Sequence, residues 1–453
     1  MGSGASVTAE PPVREAPPVA TPGRWRGPAV ALGFLLPALV FLGVWIVYPA
    51  IRTIIRSFFN DANHPKFVWF HNYKTLFVPF NTHDNIILKA IENNAIWVAV
   101  VPALVTAIGL VFAVLTERVS WRLAFRTVVF MPMAVSLFAA GVIWRIMDQQ
   151  DPSRGALNAS LQVIHDEFSP PGHLQGASPS EGTITGSAKT GLLLKTPLQP
   201  GGVALLGLTG IGAEAVPKGA QQAAAPTPSS TQISGVVWRD FKPGGGTPGK
   251  VESGELGLPG VSVSLKKANG GNAGSATTAP NGAFTFNGVK PGTYHVEIGA
   301  SNFRPPFGGV AWLGTKLITP ALIIAYIWVW AGFAMVVIAA GLAAIPRDTL
   351  EAARTDGATE LQVFRRVTVP LLAPVLTVVF ITMLINVLKV FDIVLAVAPG
   401  SSQAAANVIA LAMWRTAFSG QNQFGLGSAI AVFLFVLVLP VLLLNIRRFR
   451  REA

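Results

Sequence analysis

Six long apolar runs alternate with polar segments along the chain: Ala29–Tyr48, Asn94–Thr116, Thr127–Trp144, Leu317–Ile345, Val367–Leu388 and Phe424–Ile446. Each is long enough to cross about 30 Å of hydrocarbon as a helix. The pattern changes between the third and fourth. Ser169–Gln232 is rich in Pro, Gly, Ala, Ser and Thr and reads as a flexible linker. Its apolar patch, Gly201–Ile211, is too short to span. From Ile233 to Ile298 the period falls to two. Val261, Val263 and Leu265 alternate with Ser262, Ser264 and Lys266, as do Phe284 with Phe286, and Tyr294 with Val296 and Ile298. Asn281-Gly282 and Pro291-Gly292 supply turns. The pattern predicts six membrane helices with a small all-β module between the third and fourth.

Composition agrees. Of 453 residues, 51% are hydrophobic and 12% charged, and the mean hydropathy is +0.51. A soluble chain is less apolar. The net charge of +12 does not point to nucleic acid, because the basic residues sit at the ends of apolar runs. Arg118, Arg122 and Arg126, then Arg347, Arg354, Arg365 and Arg366, mark two connections as cytoplasmic. Arg24, Arg26 and Arg447–Arg451 put both termini on the same side. The first outer loop, with Arg52, Arg56, Lys66, Lys74 and Lys89, departs from this rule. Met1–Pro28 has a disordered composition. With no cysteine there is no disulfide, thiol catalysis or thiol metal site.

One polar stretch, Glu351–Pro374, lies between two apolar runs and is patterned as two short helices. Asp348 is placed to cap the first, with Glu351 reaching back, and Gly357 to end it. Thr359 and Gln362 have the spacing of a capping box, and Pro370 opens the next apolar segment. Glu351-Ala352-Ala353, Asp356-Gly357-Ala358 and Val367-x-Val369-Pro370 resemble the EAA loop of bacterial ABC importer permeases, with Val367 and Val369 in place of the usual Ile and Leu. The resemblance implies a coupling element for a cytoplasmic ATPase.

Further positions resemble the sugar permeases within that family. Gly155 and Asn158 match a Gly-x-x-Asn element after the third span. Trp312-Leu313 match a Trp-Leu pair that normally follows closely, so the segment between is an insertion. Trp328-x-x-x-Gly332-Phe333-x-Met335 and Phe391-Asp392 also match. This makes Trp328, Trp330, Phe333, Asn386, Lys389 and Asp392 candidates for the substrate path. Tryptophans at a membrane interface, and a Lys389–Asp392 pair three apart on one helix, are the competing readings. The family's Thr-x-Gly-Gly-Pro after the fifth span is replaced by Ala398–Ser402. The inserted module, with Gly-Val-Val-Trp-x-Asp and Pro-Gly-Thr-Tyr, resembles the B-type repeats of bacterial adhesins, which have a prealbumin-like sandwich. Some of those bind calcium, so Asp240, Glu252 and Glu255 are candidate ligands, against the alternative of solvated carboxylates.

No catalytic constellation stands out. Gly244–Lys250 has P-loop spacing, but Val251 replaces the Mg²⁺-binding hydroxyl and Pro248 removes a backbone donor. The expected protein is a polytopic all-α membrane permease with an inserted extracytoplasmic all-β sandwich, and not an enzyme. Its expected parts are a disordered tail (1–28), spans one to three (29–161), a linker (162–232), the β-sandwich (233–300), and spans four to six (301–453) with the coupling loop at 347–370. The resemblance implies a plasma-membrane sugar importer for an α-glucoside or maltose-type oligosaccharide, with both termini cytoplasmic. It implies a second permease, two ATPase subunits and an extracellular sugar-binding protein as partners, and no cofactor. Import of another solute such as glycerol phosphate, or a membrane-anchored adhesion or scaffold role, are the alternatives.

Overall fold

Long apolar runs without backbone partners in lipid must satisfy their own hydrogen bonds, so they form helices. The computed structural model describes residues 26–62, 64–77, 86–420 and 422–452. The expected disordered tail therefore lies almost wholly outside the described residues. Among the described residues, five helices are long and apolar enough to cross a membrane: Ala31–Arg56, Ile87–Glu117, Ile318–Ala343, Glu360–Leu388 and Phe424–Leu443. The expected third span is not one straight helix. Arg122–Ala134 and Leu137–Met147 meet at 100°. Met131–Ala134 is a 3₁₀ turn with Pro132 at its start, and the Ser136 hydroxyl caps the next helix by accepting the Ala139 N–H at 3.2 Å. Proline and a new N-cap are the usual causes of such a break. Counted as one broken span, the pair makes six.

The described residues divide into two compact units. One draws on Met1–Leu115, Ala334–Phe391 and Asn407–Ala453. Buried asparagines tie it together: Asn93 Nδ2 donates to Asn407 O at 2.8 Å, and Asn94 Oδ1 accepts the Ile409 N–H at 2.8 Å. Such amides are costly in an apolar bundle unless paired, and pairing them sets the register of the helices.

The other unit comprises Thr116–Phe333 and Asp392–Ala406 and contains the β-module. Its strands are β1 (Ser178–Pro179), β2 (Ile184–Ser187), β3 (Gly191–Leu194), β4 (Val203–Thr209), β5 (Ile233–Arg239), β6 (Leu256–Gly257), β7 (Ser262–Lys267), β8 (Asn272–Thr277), β9 (Ala283–Phe286) and β10 (Tyr294–Ile298). One five-stranded sheet runs β1-β4-β5-β6, with β9 also on β5. The other runs β2-β3-β10-β7-β8. The expected alternation is present: Val263, Leu265, Phe284, Phe286, Tyr294, Val296 and Ile298 face a core shared by both sheets. β5 is buried on both faces, because Val236 and Trp238 point away from that core and pack with Ala223 and Val251.

The flexible linker expected at 162–232 is not observed. Ala156–Phe168 is a helix, and the region beyond holds β1 to β4. β4 pairs in parallel with β5 from Val203↔Ser234 to Leu208↔Arg239, and β3 pairs with β10. Leu174, Ile184, Leu192, Leu194, Leu206 and Leu208 are buried in the common core. A polar, glycine-rich composition holds these short strands apart without preventing them from pairing.

A fragment of residues 170–306 is therefore expected to melt cooperatively, and one beginning at Ile233 is not. The shorter piece lacks those six side chains. At about 1.5–3 kcal/mol each, their loss is on the order of 10 kcal/mol, the size of a domain's whole stability. Thermal unfolding of both fragments by circular dichroism checks this. A sharp transition in the shorter one would refute it.

Candidate functional site

The polar hairpin between the apolar helices Ile318–Ala343 and Glu360–Leu388 is built from local rules. Its first helix is Arg347–Thr355. The N-cap is Pro346, which supplies no side-chain acceptor, so the expected Asp348 cap is not formed; Asp348 sits in the first turn instead, where its charge favours the helix dipole. The helix ends at Asp356, and Gly357 adopts a φ of +84°. The Gly357 N–H donates to Arg354 O at 3.0 Å and the Ala358 N–H to Ala353 O at 3.1 Å, closing the last carbonyls in a Schellman motif. Two residues later the capping box forms as expected. Thr359 Oγ1 accepts the Gln362 N–H at 3.4 Å, and Gln362 Oε1 accepts the Thr359 N–H at 2.8 Å. Arg354 then clamps the two helices with a forked ion pair to Glu360, at 2.8 and 3.4 Å. The pair holds the Arg354 guanidinium above its ordinary pKa.

Glu351, Ala352, Asp356 and Gly357 are exposed, Ala353 and Ala358 half-exposed, and Leu361 is also exposed. Pro370 does not break the chain into a new helix. A widened turn, Phe364–Thr368, absorbs it, and the helix continues through Val369–Leu388. The result is a rigid, polar projection with a short apolar tip.

The aromatic candidates gather on Ile318–Ala343. The Trp328 ring meets Trp144 edge-on at 5.9 Å, and Trp330 lies 5.8 Å from Phe333 and 5.9 Å from Tyr326. Gly332 lets the backbone of Val129 and Phe130 approach; a Cβ there would lie 2.3 Å from Val129 O. Asn386 donates to Thr382 O one turn back at 3.0 Å. Lys389 is the C-cap of Val369–Leu388, and Asp392 starts a separate helix, Asp392–Val397. The single helix that an i,i+3 pair between them requires is therefore absent. Both side chains are exposed.

Asp148 and Asn158, in the unit that contains the β-module, are buried polar residues of the helical part. Asp148 follows the helix Leu137–Met147, is 1% exposed, and has one carboxyl oxygen without a hydrogen-bond partner. Burial pushes its carboxyl up to about 6. Asn158 is fully buried, with Nδ2 donating to Gln149 O at 2.9 Å and Val310 O at 3.0 Å, and Oδ1 accepting the Val310 N–H at 2.7 Å. The resemblance singled out Asn158. Nothing in the pattern singled out Asp148, or the Asn93-Asn94 pair apart from its polarity within an apolar run.

The carboxylates of the β-module are drawn together, and their partners come from the module itself, with Glu255 Oε1 buried without one. Asp240 Oδ2 accepts the Gly249 N–H at 2.6 Å. Glu252 pairs with Lys242 at 3.4 Å and accepts the Thr247 N–H at 2.9 Å. Glu255 is not a solvated carboxylate: it is buried, accepts the Glu252 N–H at 2.8 Å, and is raised in pKa mainly by that burial. Among the described residues no group of His, Cys, Asp or Glu is arranged to hold a metal ion.

Residues 284–451 match the family described as binding-protein-dependent transport system inner membrane component. Residues 231–304 match the SdrD B-like domain. The osmoprotective compounds uptake permease protein GgtC of Synechocystis sp. is 27% identical over 92% of this chain and 98% of its own length. The alpha-glucoside transport system permease protein AglF of Rhizobium meliloti is 28% identical over 93% of this chain and 82% of its own length. The same fold occurs in a bacterial ABC transporter involved in the import of the acidic polysaccharide alginate, with a TM-score of 0.54 at 16% identity, covering 94% of this chain and 96% of that one. A putative ABC transporter permease protein of Caldicellulosiruptor sp. is 36% identical over 24% of this chain and 79% of its own length. Five described helices apolar enough to cross a membrane, or six with the broken pair counted as one, a polar hairpin between Ile318–Ala343 and Glu360–Leu388, and these relatives place the chain in the family of binding-protein-dependent transport system inner membrane components, the permease subunits of ABC transporters.

Proposed function

We propose that this chain is one permease subunit of an ATP-driven importer of an α-glucoside or maltose-type oligosaccharide. The observation that carries the coupling half of this reading is the hairpin Arg347–Val363. It is largely exposed, polar, and closed at the turn between its two helices by the Schellman motif on one side and the capping box on the other. A lipid-facing connector has no use for that rigidity, whereas a partner's groove does. Glu351, Ala352, Ala353, Asp356, Gly357, Ala358 and Pro370 form the coupling element, and a separate cytoplasmic ATPase supplies the energy. Binding of ATP would move the hairpin as a body and transmit that motion to Glu360–Leu388, with which its second helix is continuous.

The sugar half rests on the end-to-end similarity to AglF and on two aromatic groups of the helix Ile318–Ala343, Trp328 beside Trp144 and Trp330 beside Tyr326 and Phe333. Aromatic faces stack on sugar rings, and polar groups then fix orientation. Asn386, Lys389 and Asp392 remain candidates for those polar contacts. A second permease, two ATPase subunits and an extracellular sugar-binding protein complete the assembly, with both termini cytoplasmic and the β-module outside. The similarity to GgtC favours a second solute class, small osmoprotective compounds, for the same machinery.

The test is uptake into proteoliposomes holding the co-encoded subunits and the binding protein. Labelled maltose-type α-glucosides are expected to accumulate only with internal ATP and the binding protein, at least tenfold above a small osmoprotective solute. Accumulation of the small solute alone would transfer the reading to that class. Accumulation without ATP would remove it.

A further inference from the structure

The basic residues of Arg52 and Arg56 do not fit the orientation rule, and neither the coupling hairpin nor the aromatic cluster uses them. They end the first span, Ala31–Arg56. There they border a cavity of about 690 Å³ walled by Ile55, Phe59, Phe418 and Phe424. The two sides of the cavity are tied by Asp61, which pairs with Arg56 at 3.2 Å and accepts the Gly425 and Leu426 N–H groups at 2.6 and 3.3 Å. Asp61 thus neutralises Arg56 and caps the helix that begins at Phe424. Arg52 has no such partner. It donates to Tyr48 Oη at 3.2 Å and lies 5.8 Å above the Tyr48 ring; among the described residues no carboxylate pairs with it.

One uncompensated guanidinium thus stands at the mouth of an aromatic and aliphatic cavity, where an apolar helix ends. On the helix before it, Val44, Trp45, Ile46, Val47 and Ile51 are exposed. A soluble anion would gain from the arginine but nothing from these walls. An amphiphile gains from both. We propose that this cavity holds the headgroup of an anionic membrane phospholipid, with its phosphodiester on Arg52 and its acyl chains along the exposed Val44–Ile51 stretch of the same helix. The planar guanidinium suits two phosphate oxygens at once. The inference needs only that Ala31–Arg56 spans the bilayer; it does not depend on what is transported.

The experiment is native mass spectrometry of the full-length chain in detergent, with phosphatidylglycerol and phosphatidylcholine of identical acyl chains at equal concentration. Phosphatidylglycerol is expected to be retained about tenfold more, because phosphatidylcholine carries the same phosphodiester but offsets its charge with a choline cation. Arg52→Gln should bring the ratio close to one, while Lys66→Gln, an exposed cation in the same loop, should leave it unchanged. Arg52 is exposed, so the variant is expected to melt as the parent does. Equal retention of the two lipids, or an unchanged ratio in Arg52→Gln, would overturn the proposal. Displacement of the lipid by millimolar inorganic phosphate would make this a soluble-anion site instead. Loss of the lipid in the assembled transporter, with a photocrosslink from position 52 to another subunit, would make it a protein interface.

Discussion

Replacing Gly357 by Val is expected to leave membrane insertion intact and to cut substrate-stimulated ATP hydrolysis and uptake at least tenfold. Gly357 has a φ of +84°, and a Cβ there would meet nothing within 4 Å. The penalty is therefore conformational rather than steric. The left-handed region costs an ordinary L-residue about 1–2 kcal/mol, and a β-branched one more. The backbone escapes that cost by opening the Schellman motif, which frees the carbonyls of Ala353 and Arg354 and turns Arg354 away from Glu360. Two helices that were one body become two loosely joined pieces. If the hairpin transmits force to an ATPase, the loss appears as reduced coupling, not as reduced protein. Gly357→Asn is the control, because asparagine tolerates the same φ; it should retain most of the activity. Assembled transporter carrying Gly357→Val, assayed for ATP turnover with and without substrate, decides the matter: full stimulation would sink the coupling role.

The hairpin shows why part of this protein is legible from its sequence. Thr359 and Gln362, or Gly357 after a helical run, act over three or four residues, so spacing alone specifies the bond. The same holds for β7, β9 and β10, where alternation follows from one buried face. β3 and β4 obey no such local rule. GLLL and VALLGLT are short apolar runs in a polar, glycine-rich stretch, and they are strands because β10 and β5 pair with them from far along the chain. The bend at Pro132 was hidden for a related reason: hydropathy records how apolar a run is, not which way it travels.

Residues of the candidate site divide in the same way. The aromatic cluster and the coupling positions carry recognisable spacing. Asp148, Asn93 and Asn94 do not, since a lone polar residue near an apolar run gains its meaning from what surrounds it in space. Lys389 and Asp392 show the reverse error. Their spacing suggested a pair, and a helix end between them removed the geometry.

Asn158→Leu is expected to destabilise the unit that contains it by about 3–5 kcal/mol. Asn158 stands where the chain leaves the third span and holds the point, Val310, where it returns. Leucine has the same branched outline but is bulkier, so no cavity opens and the fully buried site must also take up two methyl groups. It offers neither donor nor acceptor, so the Val310 N–H and the Gln149 carbonyl lose their partner, while the Val310 carbonyl keeps only the Trp312 N–H at 2.9 Å. Each polar group left unpaired away from water costs about 1–3 kcal/mol, and these sites are only partly open to it. The prediction has a local signature: the Val310 amide should exchange with solvent about a hundredfold faster, as expected for an opening made easier by about 3 kcal/mol. The isolated 170–306 fragment, which does not contain position 158, provides the reference for the β-module's own melting. In the full-length variant that transition should stay where it is while the transition of the surrounding helices falls. Asn158→Asp keeps an acceptor for the Val310 N–H and loses both donated bonds, so it should lie between the two. An unchanged Val310 exchange rate in Asn158→Leu would show that the clamp contributes nothing, and that the two ends of the insertion are held together by packing alone.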